Sequence, residues 1–98
     1  MSPEFQVTET TAGLEISASL FPGVRPESVQ IVIEMETLKF RGAFRRGGIK
    51  FEKRVRVPKG YELAKAWATI EKGVLCVHLP RRQEAGAGNV RWWYSLAE

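Results

Sequence analysis

The sequence predicts an all-β sandwich of seven or eight short antiparallel strands. Three observations carry that prediction. Apolar and polar residues alternate with a period of two through most of the chain. Turn-forming residues interrupt the alternation at roughly 8–12-residue intervals. An amphipathic helix of useful length is absent, so the layers that bury one another are sheets.

The elements follow in order. "FQVT" alternates, with Phe5 and Val7 on one side, and "TTAG" makes a turn ending at Gly13. "LEISASL" places Leu14, Ile16, Ala18 and Leu20 on one face and Glu15, Ser17 and Ser19 on the other. Pro22, Gly23 and Pro26 in "PGVRPES" do not suit a central strand and break the run. "SVQIVIE" resumes it with Val29, Ile31 and Ile33, while Val32 adds apolar surface to the opposite face. The chain turns near Glu36, and Leu38 and Phe40 then alternate with Lys39 and Arg41. After the tight "RRGG" turn, "IKFEKRVRV" aims Ile49, Phe51, Val55 and Val57 one way, with Lys53 interrupting that face. "YELAKAWATIE" reads as one helical turn followed by a strand over "AWATI". Lys72-Gly73 makes a turn, and "VLCVHL" is a last strand stopped by Pro80. "QEAGAGN" has linker composition and separates this body from a final "VRWWYSLAE".

Ninety-eight residues make one small domain with a modest core, a size at which oligomerisation often adds stability. No apolar run approaches the ~20 residues of a membrane span, and the start lacks the basic and apolar regions of a signal peptide. "SPEF" has the look of a cloning junction, so an earlier native start is expected. A single cysteine cannot form an internal disulfide, and a reducing, cytoplasmic home is expected. The net charge of +4 is unevenly spread. Residues 1–38 hold six acids and one base, whereas residues 39–59 hold nine bases and one acid. A basic middle could bind a polyanion such as nucleic acid, but a solvated strand face, or complementarity between subunits, explains it more simply.

Cys76 and His78, the only cysteine and the only histidine, lie two residues apart. On a strand they share a face, with Cα atoms ~6.5–7 Å apart. A nucleophile and its base need about 3 Å between reacting atoms and a third group to orient the base. Zinc needs further ligands, and no other Cys or His supplies them. Cys76 is therefore expected to be a small half-buried residue and His78 an outward polar one. A phosphate-cradling loop, a nucleophile elbow and a spaced carboxylate pair are all missing. The expectation is a protein that is not an enzyme, with no catalytic residue, no cofactor and no metal.

What remains is surface for partners. Open sheet edges carry unpaired backbone groups that must be protected or used to dock another strand. If "SVQIVIE" and "AKAWATIE" are both edges, Val29, Ile31 and Ile33 form one wall of an apolar slot, and the small Ala66 and Ala68 leave room in the other. Alternation alone equally allows these five residues simply to fill the core. In the tail, Trp92, Trp93 and Tyr94 are costly to leave in water and need a surface to bury against, in this domain or in another chain.

From Phe5 to Arg82 the chain resembles the α-crystallin domain of the small heat-shock proteins. "SLFPGVRPESVQIVIEMETLKFRG" is similar to that family's early block, a Leu and a Pro-Gly turn leading to a V-x-V-type strand and a hairpin ending in Gly. "FEKRVRVPKGYELAKAWATIEKGVLCVHLP" is similar to its closing block. There Phe51, Arg56, Val57 and Pro58 precede Ala68, Gly73, Val74, Leu75, Val77 and Pro80 at the family's spacing. The resemblance implies an immunoglobulin-like sandwich over residues 1–82, with residues 83–98 as flexible linker and aromatic C-terminal tail. It also implies ATP-independent holding of unfolding client proteins, and assembly from dimers into larger oligomers. Val29, Ile31, Ile33, Ala66 and Ala68 match the groove that receives a neighbour's C-terminal I-x-I-type peptide. Arg56 matches the family's structural arginine, on the strand often used at the dimer interface, here with Lys53 and Arg54.

The chain departs from the pattern in three places. The "AFRRGGIK" connection is too short for the loop that many members swap between partners, so edge-to-edge pairing of "IKFEKRVRV" is expected instead. Almost nothing precedes Phe5, where the family carries a client-binding arm. The tail lacks I-x-I, and Val90, Trp92, Trp93, Tyr94 and Leu96 are its candidate docking residues. Two alternatives stand beside the holdase: the related CS domain of co-chaperones, acting as an adaptor, and a basic nucleic-acid-binding β-domain.

Overall fold

The computed structural model of the chain describes residues 3–82. Seven strands form two antiparallel sheets, with two single-turn 3₁₀ helices between them. Strands β1 (Phe5–Glu9), β2 (Gly13–Ser19), β6 (Trp67–Glu71) and β7 (Val74–Pro80) make one sheet in the order β1-β2-β7-β6. Strands β3 (Gln30–Glu34), β4 (Thr37–Ala43) and β5 (Lys50–Arg56) make the other, in sequence order. The predicted helical turn is the 3₁₀ segment Leu63–Lys65, and "PGVRPES" holds the second, Pro26–Ser28.

The period-two pattern becomes a core because the ladder registers bring like faces together. Ile16 pairs with Val77, Leu14 with Leu79, and Ala18 with Leu75, all buried. From the other sheet, Leu38 and Phe40 on β4 meet this layer, and Phe5 of β1 packs on the Phe40 ring at 4.9 Å between centroids. Each such side chain, fully buried, contributes roughly 1.5–3 kcal/mol. At the periphery the pattern buries less. Ile49, aimed with Phe51 by the alternation, lies before β5 begins and is 60% exposed, while Val7 shares the side of Phe5 as expected but, on an outermost strand, is 53% exposed.

Local contacts fix the joints. The β1–β2 turn closes through Thr10, whose hydroxyl meets both the amide and the carbonyl of Gly13 at 3.1 Å. The Tyr61 hydroxyl donates to the Glu9 carboxylate at 2.8 Å, and that bond holds the phenol above its usual range. Where the chain crosses between sheets, the amide of Leu20 donates to the Gly73 carbonyl at 2.7 Å. Ser28 pins the start of β3 to the end of β4: it donates to the Arg25 carbonyl at 2.6 Å and accepts from the Ala43 amide at 2.9 Å. The β4–β5 connection is a local hairpin. Phe44 donates to Ile49 at 2.8 Å, and both Gly47 and Gly48 adopt positive φ. β5 therefore pairs within its own chain, as the short "AFRRGGIK" connection requires.

Lys72 and Gly73 turn with φ of 52° and 76°, the left-handed pair that a two-residue hairpin favours. A Cβ at position 73 would stand 2.6 Å from the Cβ of Phe21, and the backbone there is strained for any L side chain. Gly73→Ala is expected to cost about 2 kcal/mol or more in urea unfolding, whereas Gly48→Ala, which meets nothing within 4 Å, costs only its backbone strain of about 1 kcal/mol.

Candidate functional site

Two surfaces and the free edge of β5 gather the residues singled out by the sequence. The first lies along the edges β3 and β6, each of which is hydrogen-bonded on one side only. Ile31 pairs with Phe40 and Ile33 with Leu38, so both isoleucines share the inward face of β3. Ala68 pairs with Val77 and Ile70 with Leu75, so both share the inward face of β6. Glu36, at the β3–β4 turn, and Leu63, ahead of β6, line one hollow at the end of the sandwich. Val29, Ile31 and Ala66 are partly buried against the core. Ile33 is 48% exposed and Ile70 is 41% exposed, and Ala68 is exposed as well. Of the five residues named from the sequence, Val29, Ile31 and Ala66 thus join the core, whereas Ile33 and Ala68 stay exposed. Ile70 is not named among the candidate residues, although its spacing of two from Ala68 already places both on one face of the strand.

The opposite edge of the three-stranded sheet is β5, which carries Lys53, Arg54 and Arg56. Lys53 pairs with Phe40, which puts it on the inward face, where its long side chain can reach past the apolar layer to water. Arg54 and Arg56 lie on the outward face. The Arg54 and Arg41 guanidinium groups both donate to Glu52 at 3.1 Å, and these bonds hold the Glu52 carboxyl below its ordinary value. Arg56 reaches Glu36 at 3.4 Å, and Lys39, almost fully buried, lies 3.0 Å from Glu34. Four bases of the 39–59 segment are therefore paired with carboxylates, which leaves less free positive charge for a polyanion than the raw count implies.

The second surface is the outward face of the four-stranded sheet. Cys76 and His78 do share it, as strand geometry requires, both half-buried. Glu15 stands opposite His78 across the β2–β7 ladder, with its carboxylate 3.5 Å from His78 Nδ1. On the other side, the Trp67 ring stacks on His78 at 4.0 Å and 18°. Burial, reinforced by the Glu15 carboxylate, pushes the Cys76 thiol up from its ordinary value. That is the reverse of what an activated nucleophile needs. The candidate tail residues Val90, Trp92, Trp93, Tyr94 and Leu96 lie outside the described residues.

Comparison with known proteins agrees with this architecture. The model of the Hsp20/alpha crystallin family matches residues 6–91. The chain belongs to that family. No curated protein matches it significantly. Among solved structures, a small heat-shock protein from Xylella fastidiosa superposes with a TM-score of 0.76 at 18% identity, covering 95% of this chain and 97% of that one. Heat shock protein 16.0 from Schizosaccharomyces pombe gives 0.73 at 20% identity, covering 98% of each chain. The hspA protein from Xanthomonas axonopodis gives 0.70 at 23% identity, covering 85% of this chain and 96% of that one. At these identities the structural likeness shows the sandwich fold.

Exposed apolar residues on the two edges add little to the core. Ile33→Ser and Ile70→Ser are expected to cost about 1 kcal/mol or less each in denaturant unfolding. Together they are expected to reduce binding of an apolar dye such as ANS severalfold. A large loss of stability with unchanged dye binding would show that these side chains belong to the core.

Proposed function

We propose that this small heat-shock family member is an ATP-independent holdase. The observation that carries the reading is the apolar surface left exposed on two unpaired edges, Ile33 on β3 and Ile70 on β6. A client that is unfolding exposes apolar segments and unpaired backbone. Such a segment can bury its side chains on Ile33, Ala68 and Ile70 while its backbone pairs with a free edge. Holding the segment keeps it from other unfolding chains, and no bond is made or broken. The reading therefore requires neither an active site nor a cofactor. Among the described residues no helix is long and apolar enough to cross a membrane, and a cytoplasmic home accords with the one free cysteine.

Self-association uses the same chemistry. The free edge of β5, with Lys53, Arg54 and Arg56, pairs with its counterpart in a second copy to form a dimer. The aromatic tail of a neighbouring chain, Val90 to Leu96, docks in the slot of Val29, Ile31, Ile33, Ala66 and Ala68. Support for the tail comes from the short side chains of Ala66 and Ala68, which leave room on the β6 side for rings larger than isoleucine.

A heated client monitored by turbidity without nucleotide tests the reading. The chain is expected to suppress aggregation at near-stoichiometric ratios, and the Ile33→Ser/Ile70→Ser variant to lose most of that protection. Cys76→Ser is expected to protect as well as the parent. No protection by the parent chain would favour an adaptor role. For assembly, truncation after Arg82 is expected to lower the mass measured by light scattering; an unchanged mass would contradict tail docking.

A further inference from the structure

The cluster on the outward face of the four-stranded sheet has a composition that neither the fold nor the holdase reading requires. One sulfur, one imidazole nitrogen and one carboxylate oxygen, from Cys76, His78 and Glu15, all lie within 4.8 Å of one another. We propose that these three residues form a binding site for zinc, or a divalent cation of similar softness, with water completing the coordination.

The ligand chemistry points this way. Zinc takes thiolate, imidazole and carboxylate at about 2.3, 2.0 and 2.1 Å, in a tetrahedron whose corners are about 3.3–3.7 Å apart. The three groups must therefore close by only about 1 Å from their present separations, a movement within reach of side-chain rotation. The backbone need not move. Cys76 and His78 project from one strand with period-two spacing, and the β2–β7 register places Glu15 directly opposite His78. That ladder runs over seven residue pairs and sets the spacing before any ion arrives.

The surroundings suit a cation as well. All three residues are half-buried, so an ion would displace part of the solvent while remaining reachable. Trp67 stacks on the imidazole and holds its plane, with Nδ1 on the Glu15 side. Beside the cluster a hollow lined by Glu15, Trp67, His78 and Pro80 leaves room for the fourth ligand. Coordination displaces the thiol proton to solvent, and the thiolate and carboxylate together neutralise the charge of the ion. Because the ligands come from β2 and β7, a bound ion clamps the two central strands of this sheet. The slot between β3 and β6 lies on the inward faces, so the site stands or falls independently of the holdase reading.

The test is titration of the full chain with Co²⁺ as spectroscopic probe, then with Zn²⁺ against a chromophoric chelator. The expected result is one ion per chain, a thiolate-to-cobalt charge-transfer band in the near ultraviolet, and displacement of that band by Zn²⁺. Cys76→Ser is expected to abolish the band. Glu15→Gln, an isosteric change at a partly exposed position, is expected to keep the band but weaken Zn²⁺ binding about tenfold or more, with an unchanged far-UV spectrum. Absence of the band overturns the proposal, as does Zn²⁺ affinity unchanged in Glu15→Gln. One ion per two chains would assign the ion to an interface and overturn a site within one chain.

Discussion

Ile16, Leu38, Phe40, Leu75 and Val77 form a single apolar layer between a four-stranded and a three-stranded sheet, and the two sheets do not close into a barrel. Four strands are left as edges: β1 and β6 in one sheet, β3 and β5 in the other. An unpaired edge invites unplanned association unless it is blunted. The chain treats its four edges differently. β1 is tied down through Glu9 to Tyr61, whose ring also lies under the Arg81 guanidinium at 5.5 Å. β5 carries Lys50, Lys53, Arg54 and Arg56. β3 and β6 keep Ile33 and Ile70 partly in water on the inward faces of their strands.

Much of this was legible in the sequence because the information is local. Alternation located all seven strands to within a residue or two, and Lys72-Gly73 and Pro80 marked the bounds of β7. The mixed reading of "YELAKAWATIE" resolved into a single 3₁₀ turn and then β6. The rest depended on register, which couples residues far apart in the chain. Glu15 joins Cys76 and His78 only across sixty-odd residues, by the β2–β7 ladder. Counting cysteines and histidines could not find a carboxylate on another strand. Ile49 fits an inward pattern by period but falls outside the strand, where the turn at Gly47 and Gly48 has already carried the chain away.

The charge pattern shows the same division between count and arrangement. The nine bases of residues 39–59 look like a polyanion surface when counted. In the fold, Glu34, Glu36 and Glu52 take up Lys39, Arg56, and the pair Arg41 and Arg54. Two of those acids come from the acidic N-terminal third of the chain, which β3 and its turn bring against the basic strands. The exposed pairs among them, those of Arg41, Arg54 and Arg56, contribute little stability, roughly 0–1 kcal/mol each. Their effect here is to balance charge on the outward face of β4 and β5.

The central claim is that partners bind on the edges β3 and β6. Amide hydrogen exchange of the chain, alone and with a bound unfolding client, tests it most directly. The account predicts that protection on binding is gained chiefly in Gln30–Glu34 and Trp67–Glu71, with β1 unchanged. Protection gained instead on β1, or spread evenly over the sandwich, would contradict it.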